Sequence, residues 1–228
     1  MDSPARAGPD YESRPLAGLK PDTDVALRLL VIDSATEACS VALFDGSGLV
    51  AGDYVELGRG HAERLIPMIA ALPDRGRAAR IMVNLGPGSF TGIRVGLAAA
   101  RALGLAWQAA VGGYHCLDLV AAMASARQPG CAIDVAMTGG HGEWFFQQFG
   151  ADGITLAPFE SLPPEDVLDR ARAAIVAGSQ AVAVAQHTGA QALPLHPDAR
   201  QFAQLNPAKW HDTVRPVYGR APDARLPA

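Results

Sequence analysis

The sequence predicts an α/β protein of two lobes, each a mixed β-sheet flanked by helices, with the order β-β-β-α-β-α occurring twice. Three observations carry this expectation. Short apolar runs with β-branched members are bounded by polar turns, as buried strands are. Two longer stretches repeat apolar or small residues at helical spacing. Beyond about Gly112 the same order of elements can be read again, a weak internal duplication.

Taken in order, Arg28–Asp33 (RLLVID) and Cys39–Asp45 (CSVALFD) read as buried strands forming a hairpin or a close pair. The Asp45-Gly46-Ser47-Gly48 cluster turns the chain into a third strand, LVAGDYV at 49–55. A helix follows over His61–Leu72, with Leu65, Ile66, Ile69 and Leu72 in phase; Pro67 within it removes a backbone hydrogen bond and is expected to kink it. The strand RIMVN at 80–84 then leads through a glycine-rich turn into a helix from about Ile93 to Ala106. In the second half a linking helix spans Tyr114 to Ala126, and strands are expected at 131–137, 143–149 and 154–159. A helix at 164–173, a strand at 174–178 and a last helix near Ala199 to Ala208 complete it. The expected organisation is a disordered leader at 1–27, rich in Pro, Gly and charge, lobes at 28–111 and 112–212, and a tail at 213–228.

Composition excludes several classes of function. With 49% hydrophobic residues and a formal net charge of -4, the chain can bury a core but has no bulk positive field for nucleic acid. The only lysines, Lys20 and Lys209, lie near the chain ends, against any mechanism needing a core lysine on a phosphate or in a Schiff base. Cys39, Cys116 and Cys131 are far apart and form no C-x-x-C pair, so neither a disulfide framework nor a zinc site is indicated, and a reducing cytoplasm is the expected home. Arg94 and Arg101 interrupt the most hydrophobic helix, so no run approaches the roughly 20 residues of a membrane span. The histidines His61, His115, His141, His187, His196 and His211 include no H-x-x-x-H pair and no nucleophile elbow; neither a metal, a cofactor nor a hydrolase triad is expected.

Two turns attract a phosphate reading. Gly86, Pro87, Gly88, Ser89, Phe90, Thr91 and Gly92 lie between a strand and a helix, where backbone N–H groups can face an anion. The spacing G-x-G-x-x-x-G is one residue longer than the dinucleotide fingerprint, and the alternative is a rigid turn in which Ser89 or Thr91 caps the helix. The turn after the first strand carries Asp33, Ser34, Thr36 and, at the start of the next strand, Ser40: hydroxyls for phosphate oxygens and a carboxylate for a metal-bound water, or an Asx or Ser/Thr turn that satisfies its own backbone. The corresponding turn of the second lobe is Thr138-Gly139-Gly140-His141-Gly142-Glu143. On the long helix, Gly96, Ala100 and Gly104 recur every four residues, leaving a face with almost no side chains. That face either packs on its own sheet or joins the His61–Leu72 helix in a four-helix contact with another chain.

The order of elements looks like that of the actin-like, ribonuclease H-like superfamily. Within it, IDSATEACSVALFD, HAERLIPMI and GPGSFTGIRVGLAAARALGLA, with PVYGRAPDAR near the end, resemble the TsaB family, strongly from Leu29 to Ala106 and patchily afterwards. The resemblance implies a fold without catalytic competence, lacking the metal pair of the TsaD type, in complex with a TsaD-type catalytic subunit and a TsaE-type ATPase. It implies a part in attaching threonylcarbamoyl to adenosine 37 of tRNAs that read ANN codons, with tRNA met only through the complex. The contact is expected through His61, Glu63, Leu65, Ile66 and Ile69 of one helix and Arg94, Gly96, Leu97, Ala100, Arg101 and Gly104 of the other, with homodimers through the same surface when the partner is missing. Thr138–Glu143 departs from the family's Asp-Ala-Arg-Arg-Gly-Glu-like turn, and Gly113–Leu117 departs from its usual start of the linking helix. The main rival is an actin-like ATPase or phosphotransferase holding nucleotide between its lobes; a metallopeptidase would need a metal site that these histidines do not supply.

Overall fold

The computed structural model describes residues 28–46 and 48–219, so the expected leader lies outside the described residues, as does the last part of the tail. The first sheet contains β1 (Arg28–Asp33), β2 (Ala38–Asp45), β3 (Gly48–Glu56), β4 (Arg80–Asn84) and β5 (Ala110–Tyr114) in the order β3-β2-β1-β4-β5. β1 pairs antiparallel with β2, and β2 with β3, whereas β4 lies parallel to both β1 and β5. The second sheet contains β6 (Ile133–Thr138), β7 (Trp144–Phe149), β8 (Glu160–Leu162), β9 (Ile175–Ala177) and β10 (Gln191–Leu193), ordered β10-β9-β6-β7-β8. Read from the other edge this is the order of the first sheet, and the two share the same parallel and antiparallel pairings. The duplication is therefore a fact of topology, with a fifth strand in each lobe that the sequence pattern did not reveal.

Helices α1 (His61–Ala71) and α2 (Phe90–Trp107) cover the outer face of the first sheet, sealing a core that includes Leu30, Ile32, Leu65, Ile69, Ile81, Ile93 and Leu97. Helices α4 (Pro164–Arg170) and α5 (Ala181–Thr188) cover the second sheet with a smaller cluster around Phe146, Val167 and Val184. Between the sheets runs α3 (Cys116–Arg127), whose Leu117, Leu119, Val120, Met123 and Ala124 are all buried. A helix apolar all round must be covered all round. Side chains of both sheets pack against it in one continuous core, completed by Phe202 from a 3-10 turn at Ala199–Gln204.

Several expected boundaries move, each for a local reason. The border expected at 111/112 falls inside β5, whose AVGGY sequence hides a strand; Gly112 and Gly113 admit the Met82 and Leu85 side chains. The linking helix starts at Cys116, not Tyr114. α2 starts at Phe90 because Ser89 caps it, its hydroxyl accepting from the Gly92 N–H at 3.2 Å. The strand expected at 154–159 gives way to β8; Thr155 makes a single bridge to Phe149, between the Gly153 turn at φ 75 and Pro158. α4 stops at Arg170 because the next amides, of Arg172 and Ala173, donate to the buried Asp134 carboxylate at 2.7 and 2.9 Å. The helix expected at 199–208 is two 3-10 turns, Ala199–Gln204 and Pro207–Lys209, separated where Asn206 caps the second and Pro207 supplies no amide. The first of them crosses back to the first lobe and covers the inner face of its sheet.

Candidate functional site

Three loops singled out in the sequence meet where the lobes face each other. Thr36 and Glu37 after β1, Gly88–Phe90 before α2 and Thr138–His141 after β6 line one cavity of about 750 Å³. Topology explains the meeting, since the equivalent ends of β1, β4 and β6 all open toward the interlobe cleft.

The polar groups around this cavity are largely engaged within the fold. Asp33 is fully buried: Oδ2 accepts from Asn84 Nδ2 and the Tyr114 hydroxyl, each at 2.7 Å, and Oδ1 accepts from the Ala35 N–H at 3.2 Å. Burial pushes its carboxyl up to about 7, with Asp198 adding to the rise and the Asn84 and Tyr114 bonds opposing it. Both of its oxygens are occupied, and it is not among the residues that line the cavity. The Ser34 hydroxyl donates to the Gly92 carbonyl at 2.9 Å, and Thr36 Oγ1 accepts from the Ala38 N–H at 3.3 Å. Ser40, expected in the phosphate loop, belongs to β2 and accepts from the Ala199 N–H at 2.9 Å. Of the two readings of these four residues, the hydrogen bonds favour the turn that satisfies its own backbone, with a long-range tie from Ser40.

The glycine-rich turn has the same character. The Ser89 N–H donates to the Ala35 carbonyl at 2.7 Å, and a Cβ on Gly88 or Gly92 would collide with the carbonyl of Ala35 or Ser34. Gly86, at φ 101 and cis to Pro87, lies against the Val217 carbonyl. These glycines let three chain segments touch; the loop faces its own neighbours. Across the cleft, the Thr138 N–H donates to Ser179 Oγ at 2.8 Å and the Gly139 N–H to the Glu143 carbonyl at 2.8 Å. Among the described residues no group of three or more His, Cys, Asp or Glu side chains could hold a metal ion, and no helix is long and apolar enough to cross a membrane.

The helix surface also requires correction. Gly96, Leu97, Ala100 and Gly104 of α2 are buried against the chain's own sheet, where a Cβ on Gly96 would press on Ser34 and Val83, and one on Gly104 on Val111. His61, Leu65 and Ile69 of α1 are buried too. The bare ridge is thus an internal seam that seats α2 on β4 and β5. Arg94 and Arg101 are exposed but hold the chain's own C-terminal segment: Arg101 donates to the Val214 carbonyl at 2.8 Å, and Arg94 to the Tyr218 hydroxyl at 3.2 Å. Of the expected contact residues, Glu63 and Ile66 are left facing outward without such an engagement in this lobe, Ile66 at 50% exposure. Beside them the sequence reading missed Leu105, 85% exposed, and the exposed Ala98 and Ala102 on the adjoining helix. The signal was present: α2 carries only two charged residues in 18, so its outward face is apolar as well as its inward one.

Comparisons with known proteins agree with this architecture. The family model described as TsaD, tRNA N6-adenosine threonylcarbamoyltransferase, matches residues 56–198. The tRNA threonylcarbamoyladenosine biosynthesis protein TsaB of Escherichia coli is 31% identical over 131 residues, 55% of this chain and 56% of that protein, so the chain spans little more than half of that relative's length. An uncharacterized protein of Mycobacterium tuberculosis is 32% identical over 210 residues, covering 86% of this chain and 93% of the relative. Among solved structures, YeaZ from Pseudomonas aeruginosa superposes with a TM-score of 0.70 at 25% identity, over 84% of this chain and 99% of YeaZ. The family match over more than half of the chain, the relatives and the shared two-lobed fold converge: the chain belongs to the TsaB (YeaZ) family.

Proposed function

We propose that this chain is a non-catalytic subunit in the formation of N6-threonylcarbamoyladenosine at position 37 of ANN-decoding tRNAs, pairing with a TsaD-type catalytic subunit and working with a TsaE-type ATPase. The names of its relatives, a tRNA threonylcarbamoyladenosine biosynthesis protein and a tRNA threonylcarbamoyltransferase family, support a part in this tRNA modification. One observation carries the subunit role. Asp33, Ser34 and Thr36, which a nucleotide-hydrolysing relative of this fold would point at phosphate, are hydrogen-bonded within the fold, while α1 and α2 present Ile66, Ala98, Ala102 and Leu105 to the outside. Exposed large apolar side chains on paired helices fit a helix-to-helix contact with another subunit. The partner surface is therefore the outward face of these helices, not the glycine seam beneath it.

The test is co-elution of the purified chain with a TsaD-type protein, followed by tRNA modification in a reconstituted mixture with and without the chain. Leu105→Asp and Ile66→Asp are expected to weaken pairing at least tenfold, about 1.4 kcal/mol, while leaving the fold intact. Unchanged co-elution of both variants would remove this surface from the proposal. The size of the interlobe cavity favours one rival, a nucleotide held between the lobes. Calorimetry with ATP and magnesium on the isolated chain separates the two: no heat is expected, and saturable binding with hydrolysis above the buffer rate would favour the ATPase reading.

A further inference from the structure

The segment after the last 3-10 turn does more than end the chain. From the bridge of His211 to Gly113 at the edge of the first sheet it passes α2 and returns to the cleft, and each step is fixed by a different contact. The Val214 carbonyl accepts from Arg101 at 2.8 Å. The Val217 N–H donates to the Leu85 carbonyl at 2.7 Å, extending the end of β4, and the Val217 carbonyl occupies the space where a side chain on Gly86 would stand. The Tyr218 ring lies 5.2 Å from the Phe90 ring, and the Arg94 guanidinium sits 3.6 Å above Phe90 while donating to the Tyr218 hydroxyl. All of these partners belong to the first lobe. The next residue, Gly219, rests on the ring of Phe145, which stands on β7 in the second lobe; a Cβ there would fall inside the ring's contact distance. Tyr218 and Gly219 both line the interlobe cavity.

We infer that residues 214–219 form a latch across the interlobe cleft, gripped by Arg94 and Arg101 on α2 and seated by Gly219 on Phe145, and that its release lets the two lobes separate at the cavity. The glycine at 219 is the keyhole of this device, because only a residue without a side chain can lie flat on that ring. The inference is independent of any partner or nucleotide: it concerns how the cavity of this chain opens. It also gives Gly86, Arg94 and Arg101 one shared role in the isolated chain, since all three meet the same segment.

Single-molecule energy transfer reads the latch directly. Dyes placed at Glu63→Cys on α1 and Glu165→Cys on α4, both exposed, report the separation of the lobes in a Cys131→Ser background; Cys39 and Cys116 are buried and stay unlabelled. Picomolar concentration keeps the chain monomeric. The otherwise unaltered chain is expected to give one narrow population. Gly219→Val, whose side chain cannot share space with the Phe145 ring, is expected to add a second population at lower transfer efficiency, at least tenfold more abundant than before. Adding Phe145→Leu, which removes the ring atoms that a Cβ at 219 would meet, is expected to restore the single population. Tyr218→Ala provides a milder release that leaves Gly219 untouched and is expected to give the same second population. One unchanged population in both single variants, circular dichroism being intact, would overturn the latch; so would a Gly219→Val population that Phe145→Leu fails to restore while Tyr218→Ala stays single.

Discussion

The two lobes have the same strand order but are built at different scales. In the first, β2 and β3 run for 8 and 9 residues and α2 for 18; in the second, β8, β9 and β10 have 3 residues each, and α4 and α5 have 7 and 8. Their cleft-facing turns differ as well. The first is closed by contacts distant in sequence, Ser34 to Gly92 and Ala35 to Ser89, so it is rigid only if the whole lobe is assembled. The second closes across a few residues where Gly139 bonds Glu143, and only Thr138 at its start is tied to a distant segment, by Ser179 and Gln180. A shared topology has been kept for two different tasks. The first lobe supports a long outward helix pair, while the second mainly covers the far side of α3.

The largest test of that contrast concerns the two turns. Gly92→Val places a side chain into the Ser34 carbonyl, a backbone atom that cannot yield locally, and should cost about 4 kcal/mol in urea unfolding. Gly140→Ala in the second turn meets nothing within 4 Å and should stay within about 0.5 kcal/mol. Comparable losses from both would mean that the two turns bear the same structural burden.

The pH dependence of stability sharpens the comparison next. Asp33 rises from 3.8 to about 7 on folding, so its protonated form is the one the fold prefers. The resulting stability is fully present below about 3.8 and is lost as pH rises through 7, an effect on the order of 3 kcal/mol. Relative to Asp33→Asn, which stays neutral, the unaltered chain should therefore lose about that much stability between pH 4 and pH 7, measured by chemical denaturation at each pH. A constant difference across the window would show that Asp33 is not held against its ionised form. In the second lobe the buried acid is Asp134, which collects Arg172 N–H, Ala173 N–H and Gln148 Nε2. Asp134→Ala leaves the first two as orphan amides and should cost about 2 kcal/mol, loosening the link between α4 and β9 before the rest of the lobe in hydrogen exchange.

The same inequality explains what could be read from the sequence. RLLVID, CSVALFD and HAERLIPMI announce themselves because long elements repeat their period several times, and the first-lobe sheet and helices lie close to where those patterns place them. β10 and α5 are too short for a period to show, and AVAVAQHT alternates like a strand yet forms a helix, whereas β9 lies inside the strand expected at 174–178. Those elements exist because β9 offers β10 an edge and the sheet offers α5 a surface, which is tertiary information. At the site, the residues that line the cleft were visible as Thr36, the glycine-rich turn and the Thr138 turn. The engagement of the turn after β1 was not, since its partners meet it only on folding: Asn84 and Tyr114 lie 51 and 81 positions from Asp33, and Ala199 lies 159 from Ser40. The glycine ridge of α2 misled for a related reason. A bare face signals close approach but does not say to what, and here the approach is to Val83, Ser34 and Val111 of the same lobe.

The smallest effect lies at the helix ends. Ser89 caps α2 by accepting from the Gly92 N–H at 3.2 Å, whereas the side chain of Gln180, at the start of α5, makes no capping bond and only an exposed contact to Thr138. Ser89→Ala should lower stability by about 1 kcal/mol, and Gln180→Ala by less than half of that, both read from the denaturation midpoint at constant slope. The asymmetry follows from the lobes' different demands. α2 must hold its first turn in place because Gly92 simultaneously offers its carbonyl to Ser34, so fraying there would also free the turn at the cleft. α5 ends against solvent and a short strand, and losing a peripheral bond at its start disturbs little else. If Gln180→Ala proved as costly as Ser89→Ala, the second turn would be tied to its helix as tightly as the first, and the distinction between the two turns would fail.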